Sequence, residues 1–284
     1  MIPANFDYES PRTLSDALDL LASHGDAKIL AGGHSLLPAM KLRLAAPSLV
    51  VDLGRIAGLN HIREMGDRIV VGAMTPHADV ASSRILDGSC PLLAQAASRI
   101  GDIQVRNRGT IGGSLAAAHP AADYPAAVLA LDAEIVAVSR GGERAIPATR
   151  FFTGMFTTEL RPDEIITEVR VPRTQGESVA YRKFHHPASG YAVVGVAVRL
   201  KKAGAKIDSA AIGITGVGHV AYRATAVEHA LRGKPAEAVS EAAGHAAEGV
   251  EVLSDYYASA DYRRHLAGVF TQRALQDALN ASGK

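Results

Sequence analysis

The chain has 284 residues, 48% of them apolar, so it is long enough to bury a sizeable core and to divide into two or three subdomains. Its 30 lysines and arginines balance 29 aspartates and glutamates, and the formal net charge of +1 gives no field that would gather nucleic acid or an anionic membrane. The single cysteine, Cys90, excludes an intrachain disulfide and any cluster or zinc site held by several thiolates of this chain.

The segment 1–56 predicts a compact α/β unit. Thr13 or Ser15 is suited to cap a helix, and Gly25 is placed to end it. Short strands are predicted at 28–31 and 49–53, with "AGGHSLLPAM" between them. The start of the sequence shows no secretory pattern and the longest apolar runs are too short for a membrane span, so we expect a cytoplasmic protein without a transmembrane segment.

The segment 57–173 predicts a second subdomain of α+β type. A strand is predicted at "DRIVVGAMT" and a helix at "CPLLAQAASRI". The runs "AEIVAVS" and "ERAIPA" flank Gly141 and Gly142, which is typical of a hairpin, and "DEIITEVRVP" predicts a closing strand. The stretch "TQGES" that follows is typical of a linker.

The segment 177–284 predicts a C-terminal domain. Three runs, "VAYRKF", "YAVVGVAVRL" and "AKIDSAAIGIT", predict a three-stranded antiparallel sheet followed by three helices. The alanine-rich "PAEAVSEAAGHAAEGV" is interpreted as helix. The last helix is expected to cover the sheet with apolar residues at helical spacing, namely Tyr262, Leu266, Val269, Phe270 and Ala274.

Two Gly-Gly stretches, "AGGHS" at 31–35 and "TIGGS" at 110–114, suggest an anion site. A glycine pair can place consecutive backbone N–H groups on one side of a turn and lets a ligand approach the main chain. Hydroxyl groups of Ser35, Thr110 and Ser114 can add further donors. One such turn alone is usually structural. Because both stretches are expected between β-like runs, we interpret them as two halves of one pyrophosphate site.

These stretches, with "PAADYPAAVLALDAEI" and "LRPDEIITEVRVP", carry a resemblance to a known family. The chain resembles the FAD-binding medium subunit of the molybdenum hydroxylases, the xanthine oxidase family, and especially carbon monoxide dehydrogenase medium chains. The resemblance covers nearly the whole chain and implies an α+β protein. Its implied parts are an FAD-binding PCMH (vanillyl-alcohol-oxidase-type) fold in subdomains 1–56 and 57–173, then a flavoprotein C-terminal domain at 177–284 with a helix-covered three-stranded sheet.

The resemblance implies which residues bind FAD. The two glycine segments would hold its pyrophosphate through Ala31, Gly32, Gly33, His34, Ser35, Thr110, Ile111, Gly112, Gly113 and Ser114. Asp123 matches a flavin-contacting aspartate, and because phosphate repels a carboxylate we expect it on a ribityl or ribose hydroxyl. The alternative for Asp123 is a helix N-cap ahead of Pro125.

Four more residues match positions near the flavin ring. Ile165 and Ile166 match residues packed beside it, although neighbouring strand residues point to opposite faces, so one alone is expected to touch it, or both are plain core. Lys183 matches an FAD-contacting lysine whose charge would stabilise the anionic reduced ring, the alternative being an exposed strand lysine. Tyr191 matches an aromatic residue that stacks beside the isoalloxazine.

The implied function is electron transfer. FAD would take electrons from iron–sulfur clusters on a partner chain and pass them to an external acceptor. Molybdopterin and [2Fe–2S] clusters are implied only on a large and a small partner subunit, in a heterohexamer of two heterotrimers. The stretch "HHPASG" at 185–190 replaces a basic stretch of carbon monoxide dehydrogenase medium chains, which leaves the substrate open.

No catalytic residue and no metal ligand is expected in this chain, because it shows no metal-binding spacing, nucleophile elbow or carboxylate pair. His34, His77 and His119 are interpreted as polar lining. Two alternatives stay open, a stand-alone FAD oxidase or dehydrogenase of the related fold and a flavin-free scaffold module.

Overall fold

The computed structural model describes residues 1–281. Its first part is a three-stranded parallel sheet in the order β1, β3, β2 with two helices. These elements are β1 (Asp7–Glu9), α1 (Leu14–Ser23), β2 (Lys28–Leu30), α2 (Leu36–Lys41) and β3 (Leu49–Asp52). The predicted cap of α1 is confirmed, because the Thr13 hydroxyl oxygen accepts a hydrogen bond from the Asp16 N–H at 3.1 Å.

The second part is built on a five-stranded antiparallel sheet. Its elements are β4 (Ile62–Met65), β5 (Arg68–Gly72), α3 (His77–Ser82), α4 (Arg84–Ser89), α5 (Pro91–Ser98), α6 (Ile103–Arg108), α7 (Ile111–Ala117), α8 (Asp123–Ala130), β6 (Glu134–Ser139), β7 (Gly142–Pro147), α9 (Ala148–Phe151), β8 (Phe152–Gly154), β9 (Thr157–Thr158) and β10 (Ile165–Pro172). The sheet order is β4, β5, β10, β6, β7, so the predicted closing strand β10 lies in the middle. The predicted hairpin forms between β6 and β7.

The C-terminal part is an antiparallel sheet with helices on it. Its elements are β11 (Ser178–His185), β12 (Ala192–Ala203), β13 (Lys206–Thr215), β14 (Tyr222–Arg223), α10 (Thr225–Leu231), α11 (Val239–Ala243) and α12 (Ala260–Ala281). The structure adds a fourth strand, β14, to the three that were predicted. Only part of the alanine-rich stretch is helical, because α11 ends at Ala243 and turns follow it.

The long helix α12 packs on β11 and β12, as predicted. Leu266, Phe270 and Ala274 are buried between helix and sheet, whereas Tyr262, at the start of the apolar series, remains 42% exposed. Tyr262 still reaches the sheet, because its ring meets the Phe184 ring of β11 edge-on with centroids 6.4 Å apart.

Helix α8 packs between the second and third parts. All eight of its residues are buried, and it packs against α5 on one side and against β12 and β13 on the other. Gly213 on β13 permits this approach, since a Cβ there would lie 2.8 Å from the Ala126 carbonyl carbon. The position of α8 is thus determined by both neighbours.

Cys90 lies in the apolar core between α4 and α5 and is fully buried. Burial raises the pKa of its thiol to about 12. The thiol is therefore held in its protonated, unreactive form. Among the helices of residues 1–281, none combines the length and the apolar character needed to cross a bilayer.

Candidate cofactor site

The two glycine segments meet in the structure. A Cβ on Gly32 would lie 2.6 Å from the Gly109 Cα, and a Cβ on Gly113 would lie 3.4 Å from the Ala31 Cβ. The absence of a side chain at Gly32 is therefore what allows the loop after β2 to approach Gly109, whereas a Cβ at Gly113 would be in ordinary van der Waals contact with Ala31. The sequence prediction that the two segments belong together agrees with this approach.

The first segment offers free donors. Gly33 has φ +79°, in the left-handed region that glycine tolerates best. Within residues 1–281, the N–H groups of Gly33, His34 and Ser35 donate to no protein acceptor. The Ser35 hydroxyl also makes no capping bond to α2. These groups are available to an anion.

The second segment is different, because its N–H groups are already used. Ile111 N donates to the Thr75 carbonyl at 3.1 Å and Gly112 N to the Ala73 carbonyl at 2.9 Å. Gly113 N donates to the Thr110 hydroxyl oxygen at 3.1 Å. This segment can therefore border the site, but its backbone N–H groups are not a second set of free donors.

The glycine pair of the second segment also lies elsewhere than predicted. Gly112 and Gly113 occupy the first turn of α7 and not a loop between strands, because Thr110 caps a helix there. Gly112 is needed for packing, since a Cβ would lie 2.6 Å from the Ala73 Cβ, and Ile111 is fully buried. Gly113 and Ser114 are only half-buried and border the first segment.

Asp123 and Lys183 form a buried ion pair, although they are 60 residues apart in the chain. The Lys183 ammonium donates to Asp123 Oδ2 at 2.8 Å, and the Tyr181 hydroxyl donates to Asp123 Oδ1 at 2.6 Å. Burial raises the pKa of the Asp123 carboxyl, while Lys183 and then Tyr181 oppose that shift. The pair holds a charged carboxylate and a charged ammonium away from water.

Both alternatives considered for these residues are overturned. Asp123 is the first residue of α8, whereas Ala122 occupies the N-cap position without a side-chain bond, so Asp123 is not the cap. The Lys183 side chain is 3% exposed and is not a surface lysine. It also donates to the Arg99 carbonyl oxygen at 2.9 Å, which leaves one of its three N–H groups unused.

Tyr181 is a site residue that the sequence reasoning missed. It lies two positions before Lys183 on β11, and residues i and i+2 of a strand point to the same face. This spacing is the signal that could have joined Tyr181 to the Asp123–Lys183 pair.

Tyr191 lies before β12 and is 37% exposed. Its ring stacks on that of His119, with centroids 4.1 Å apart and planes 8° from parallel. Burial raises the pKa of Tyr191, and the negative charge of Asp123 adds to the shift. The tyrosine therefore belongs to the same region as the ion pair.

Ile165 and Ile166 are both buried, at 2% and 6% exposure, and belong to different apolar clusters. This agrees with the expectation that they point to opposite faces of β10. Their packing supports the plain-core alternative, and contact of either residue with a flavin stays a prediction.

Within residues 1–281, no group of three or more histidine, cysteine, aspartate or glutamate side chains is arranged to hold a metal ion. The groups described above offer two kinds of interaction. Free N–H and hydroxyl donors suit phosphate oxygens, and the Lys183 ammonium suits a group that becomes negatively charged.

Comparison with known proteins identifies the family. The family described as "FAD binding domain in molybdopterin dehydrogenase" matches residues 4–174, and the family described as "CO dehydrogenase flavoprotein C-terminal domain" matches residues 179–278. Together these matches extend over most of the chain.

Individual relatives agree over their full lengths. The carbon monoxide dehydrogenase medium chain of Hydrogenophaga pseudoflava is 43% identical over 282 residues, 98% of each chain. The glyceraldehyde dehydrogenase medium chain of Sulfolobus acidocaldarius is 35% identical over 98% of this chain and 99% of that one. A solved structure of carbon monoxide dehydrogenase from Hydrogenophaga pseudoflava superposes with a TM-score of 0.96 at 44% identity, covering 99% of both chains. The chain therefore belongs to the family of FAD-binding medium subunits of molybdenum hydroxylases.

Proposed function

We propose that this chain is the electron-transfer subunit of a molybdenum hydroxylase complex. In this proposal it binds one FAD, takes electrons from iron–sulfur clusters on a small partner subunit, and passes them to an external acceptor. Molybdopterin lies on a large partner subunit, and two copies of each chain form a heterohexamer. Two observations carry the proposal, the approach of the two glycine segments to each other and the buried ion pair of Lys183 and Asp123.

The residues present fit the FAD pyrophosphate. Three N–H groups without a protein acceptor lie in the first segment, and the Ser35 and Ser114 hydroxyls have no protein partner within residues 1–281. Gly33 and Gly113 leave room beside them. We propose that the pyrophosphate lies along Ala31, Gly32, Gly33, His34, Ser35, Thr110, Ile111, Gly112, Gly113 and Ser114.

The second half of the proposed site is electrostatic. When bound, FAD supplies a carrier that exchanges either one electron or a pair. Asp123 and the Arg99 carbonyl hold the Lys183 ammonium in place, and its remaining N–H can meet the edge of the ring where negative charge develops. The proposal puts Asp123 near a ribityl or ribose hydroxyl of FAD, Tyr191 beside the isoalloxazine, and Ile165 or Ile166 against that ring.

In this proposal the partner subunits, and not this chain, determine the substrate of the complex. Carbon monoxide is the first substrate to test, because the relative that is 43% identical is a carbon monoxide dehydrogenase medium chain. Glyceraldehyde is the second, because another full-length relative carries that name. The proposal also places the assembly in the cytoplasm. It divides the chain at 1–56, 57–173 and 177–284, although the apolar clusters cross these bounds, since Ile165 packs with the first part and Tyr181 with the second.

Replacing Gly33 or Gly113 by valine should abolish FAD binding. At Gly33 a side chain meets the left-handed backbone, and at Gly113 it fills the space between Thr110 and Ala31. Gly25→Val is the matched control, because nothing lies within 4 Å of a Cβ there. The measurement is the ratio of flavin to protein in the purified chains, with circular dichroism to verify folding.

Full flavin content in both folded variants contradicts the two-segment site. A wild-type chain that takes up no flavin when FAD is added favours the scaffold alternative.

A further inference from the structure

The His119 ring lies between two other aromatic rings. It stacks face to face on Tyr191 at 4.1 Å, and it meets the Phe156 ring edge-on at 5.1 Å and 87°. Phe156 is 58% exposed and Tyr191 is 37% exposed, so the imidazole is the inner member of the group. Offset or edge-on contacts of this kind favour a fixed ring orientation.

The backbone around His119 is held in an unfavourable conformation. Ala118 has φ +44° and Phe156 has φ +56°, and neither is a glycine. The Phe156 N–H donates to the Ala118 carbonyl oxygen at 3.2 Å, so the two residues are linked. Such conformations persist where the surroundings determine them, and they are concentrated at ligand sites.

The protonation state of His119 is also fixed. The Ala121 N–H donates to His119 Nδ1 at 3.1 Å, so that nitrogen is the acceptor and Nε2 carries the proton. Burial lowers the pKa of the imidazole, which favours the same neutral form. A neutral, flat ring in one tautomer is a rigid surface for stacking.

Tyr191, in contrast, lies at the end of an exposed turn. Gly190 before it has φ +71°, and the His186 N–H donates to the Tyr191 carbonyl oxygen at 2.7 Å. This hydrogen bond holds the Tyr191 backbone but not its ring. The ring contact that the structure gives Tyr191 is the stack on His119.

We propose that His119 is a positioning residue that holds the Tyr191 ring in the plane in which it forms one side of the flavin pocket. This inference rests on the proposed function, in which Tyr191 lies beside the isoalloxazine. It adds a residue from the α7–α8 connection to the site and links that connection to the C-terminal domain. In this inference His119 acts through Tyr191, on whose ring it stacks.

The test compares His119→Leu with His119→Phe in the full-length chain. Both variants remove the acceptor of the Ala121 N–H, so the difference between them isolates the flat ring. Dissociation constants are measured by titrating the apoprotein with FAD, and the fluorescence of the bound flavin reports a ring stacked on it. His265→Leu, at an exposed histidine on α12, is the control.

We expect His119→Leu to raise the dissociation constant for FAD about two- to tenfold, the range expected for one aromatic stack, and to raise the fluorescence of bound flavin. His119→Phe should restore both values. Tyr191→Leu should match His119→Leu, and the double variant should show no further change, because the two residues act as one unit.

Equal affinity and fluorescence in His119→Leu and His119→Phe overturn the proposal, as do fully additive effects of the His119 and Tyr191 substitutions. If His119→Leu does not fold, His119→Phe alone tests the proposal. Its dissociation constant for FAD and its flavin fluorescence must then equal those of the wild type. A wild-type chain that binds no FAD overturns the proposed function itself. FAD binding that is unaffected by Tyr191→Leu overturns the inference about His119 and the placement of Tyr191 beside the isoalloxazine, and it leaves the FAD-binding function itself standing.

Discussion

At the scale of single residues, the Asp123 carboxylate depends on two donors, the Lys183 ammonium and the Tyr181 hydroxyl. Both side chains of the ion pair are at least 96% buried, so removal of one charge leaves the other without water. Removal of one partner destabilises the fold by more than the intact pair stabilises it. The reason is that the remaining ion stays buried without water and without its partner.

Lys183→Met should therefore lower the free energy of unfolding by about 3 to 5 kcal/mol. The double variant Asp123→Asn with Lys183→Met should be more stable than the single one, because it leaves no unpaired charge. Urea unfolding of both chains is the measurement, and Lys202→Met on the exposed part of β12 is the control. A single variant as stable as the wild type would falsify the buried pair.

His77 gives a prediction for the dependence of stability on pH. It is 4% exposed, and burial, aided by His34 and Arg106, lowers its pKa from 6.5 to about 4. Between these values the unfolded chain binds a proton at His77 and the folded chain does not, so stability rises with pH. The stability that depends on a neutral His77 is fully present above pH 6.5 and is lost as the pH falls toward 4. The free energy of unfolding changes by about 3 kcal/mol over this range.

His77→Leu should reduce the difference in unfolding free energy measured between about pH 7 and pH 4.5. His265→Leu, at an exposed histidine on α12, is the control. An unaltered pH dependence in His77→Leu would mean that the imidazole titrates equally in both states.

At the scale of elements, sequence patterns predict the helices and strands that bury one continuous apolar face. The hairpin at Gly141–Gly142 and the cap of α1 are confirmed because turn and capping chemistry is local. Strand β14 has two residues and carries no usable pattern. The sequence predicts the glycine pair of α7 in a turn between β-like runs, yet Thr110 and packing against Ala73 hold it in a helix.

The site was predictable only where its residues match the family. Asp123 and Lys183 were assigned by resemblance, whereas their pairing depends on how α8 packs against β11 and β12. The sequence does not indicate the contacts of Tyr181 and His119, because each contacts a residue that is distant in sequence. Contacts of this kind are determined by tertiary packing and not by local pattern.

Gly213→Ala should loosen the junction at α8. The added methyl group meets the Ala126 backbone and moves α8 away from β13, and with it Asp123 from the sheet that carries Lys183. We expect lower thermal stability and weaker FAD binding together. Gly88→Ala on α4 is the control, since nothing lies within 4 Å of a Cβ there. A loss of stability with unchanged FAD affinity would separate the junction from the site.

At the scale of the whole molecule, the proposed division of work among three subunits gives a direct test. The isolated chain loaded with FAD should not be reduced by carbon monoxide, aldehydes or N-heterocycles, whereas a chemical reductant should bleach it. Mixing it with both partner subunits should restore bleaching by the substrate. Anaerobic stopped-flow absorbance is the measurement, and rapid reduction of the lone subunit by one of these substrates would establish a stand-alone oxidase.

The buried thiol of Cys90 has a practical consequence for following such electron transfer. It is the one cysteine of the chain, it is fully buried, and burial keeps it protonated. A maleimide probe therefore has no native target while the protein is folded. One cysteine introduced on the exposed turn before Tyr191 can carry a spin label or fluorophore at a defined position without any change to the wild-type core.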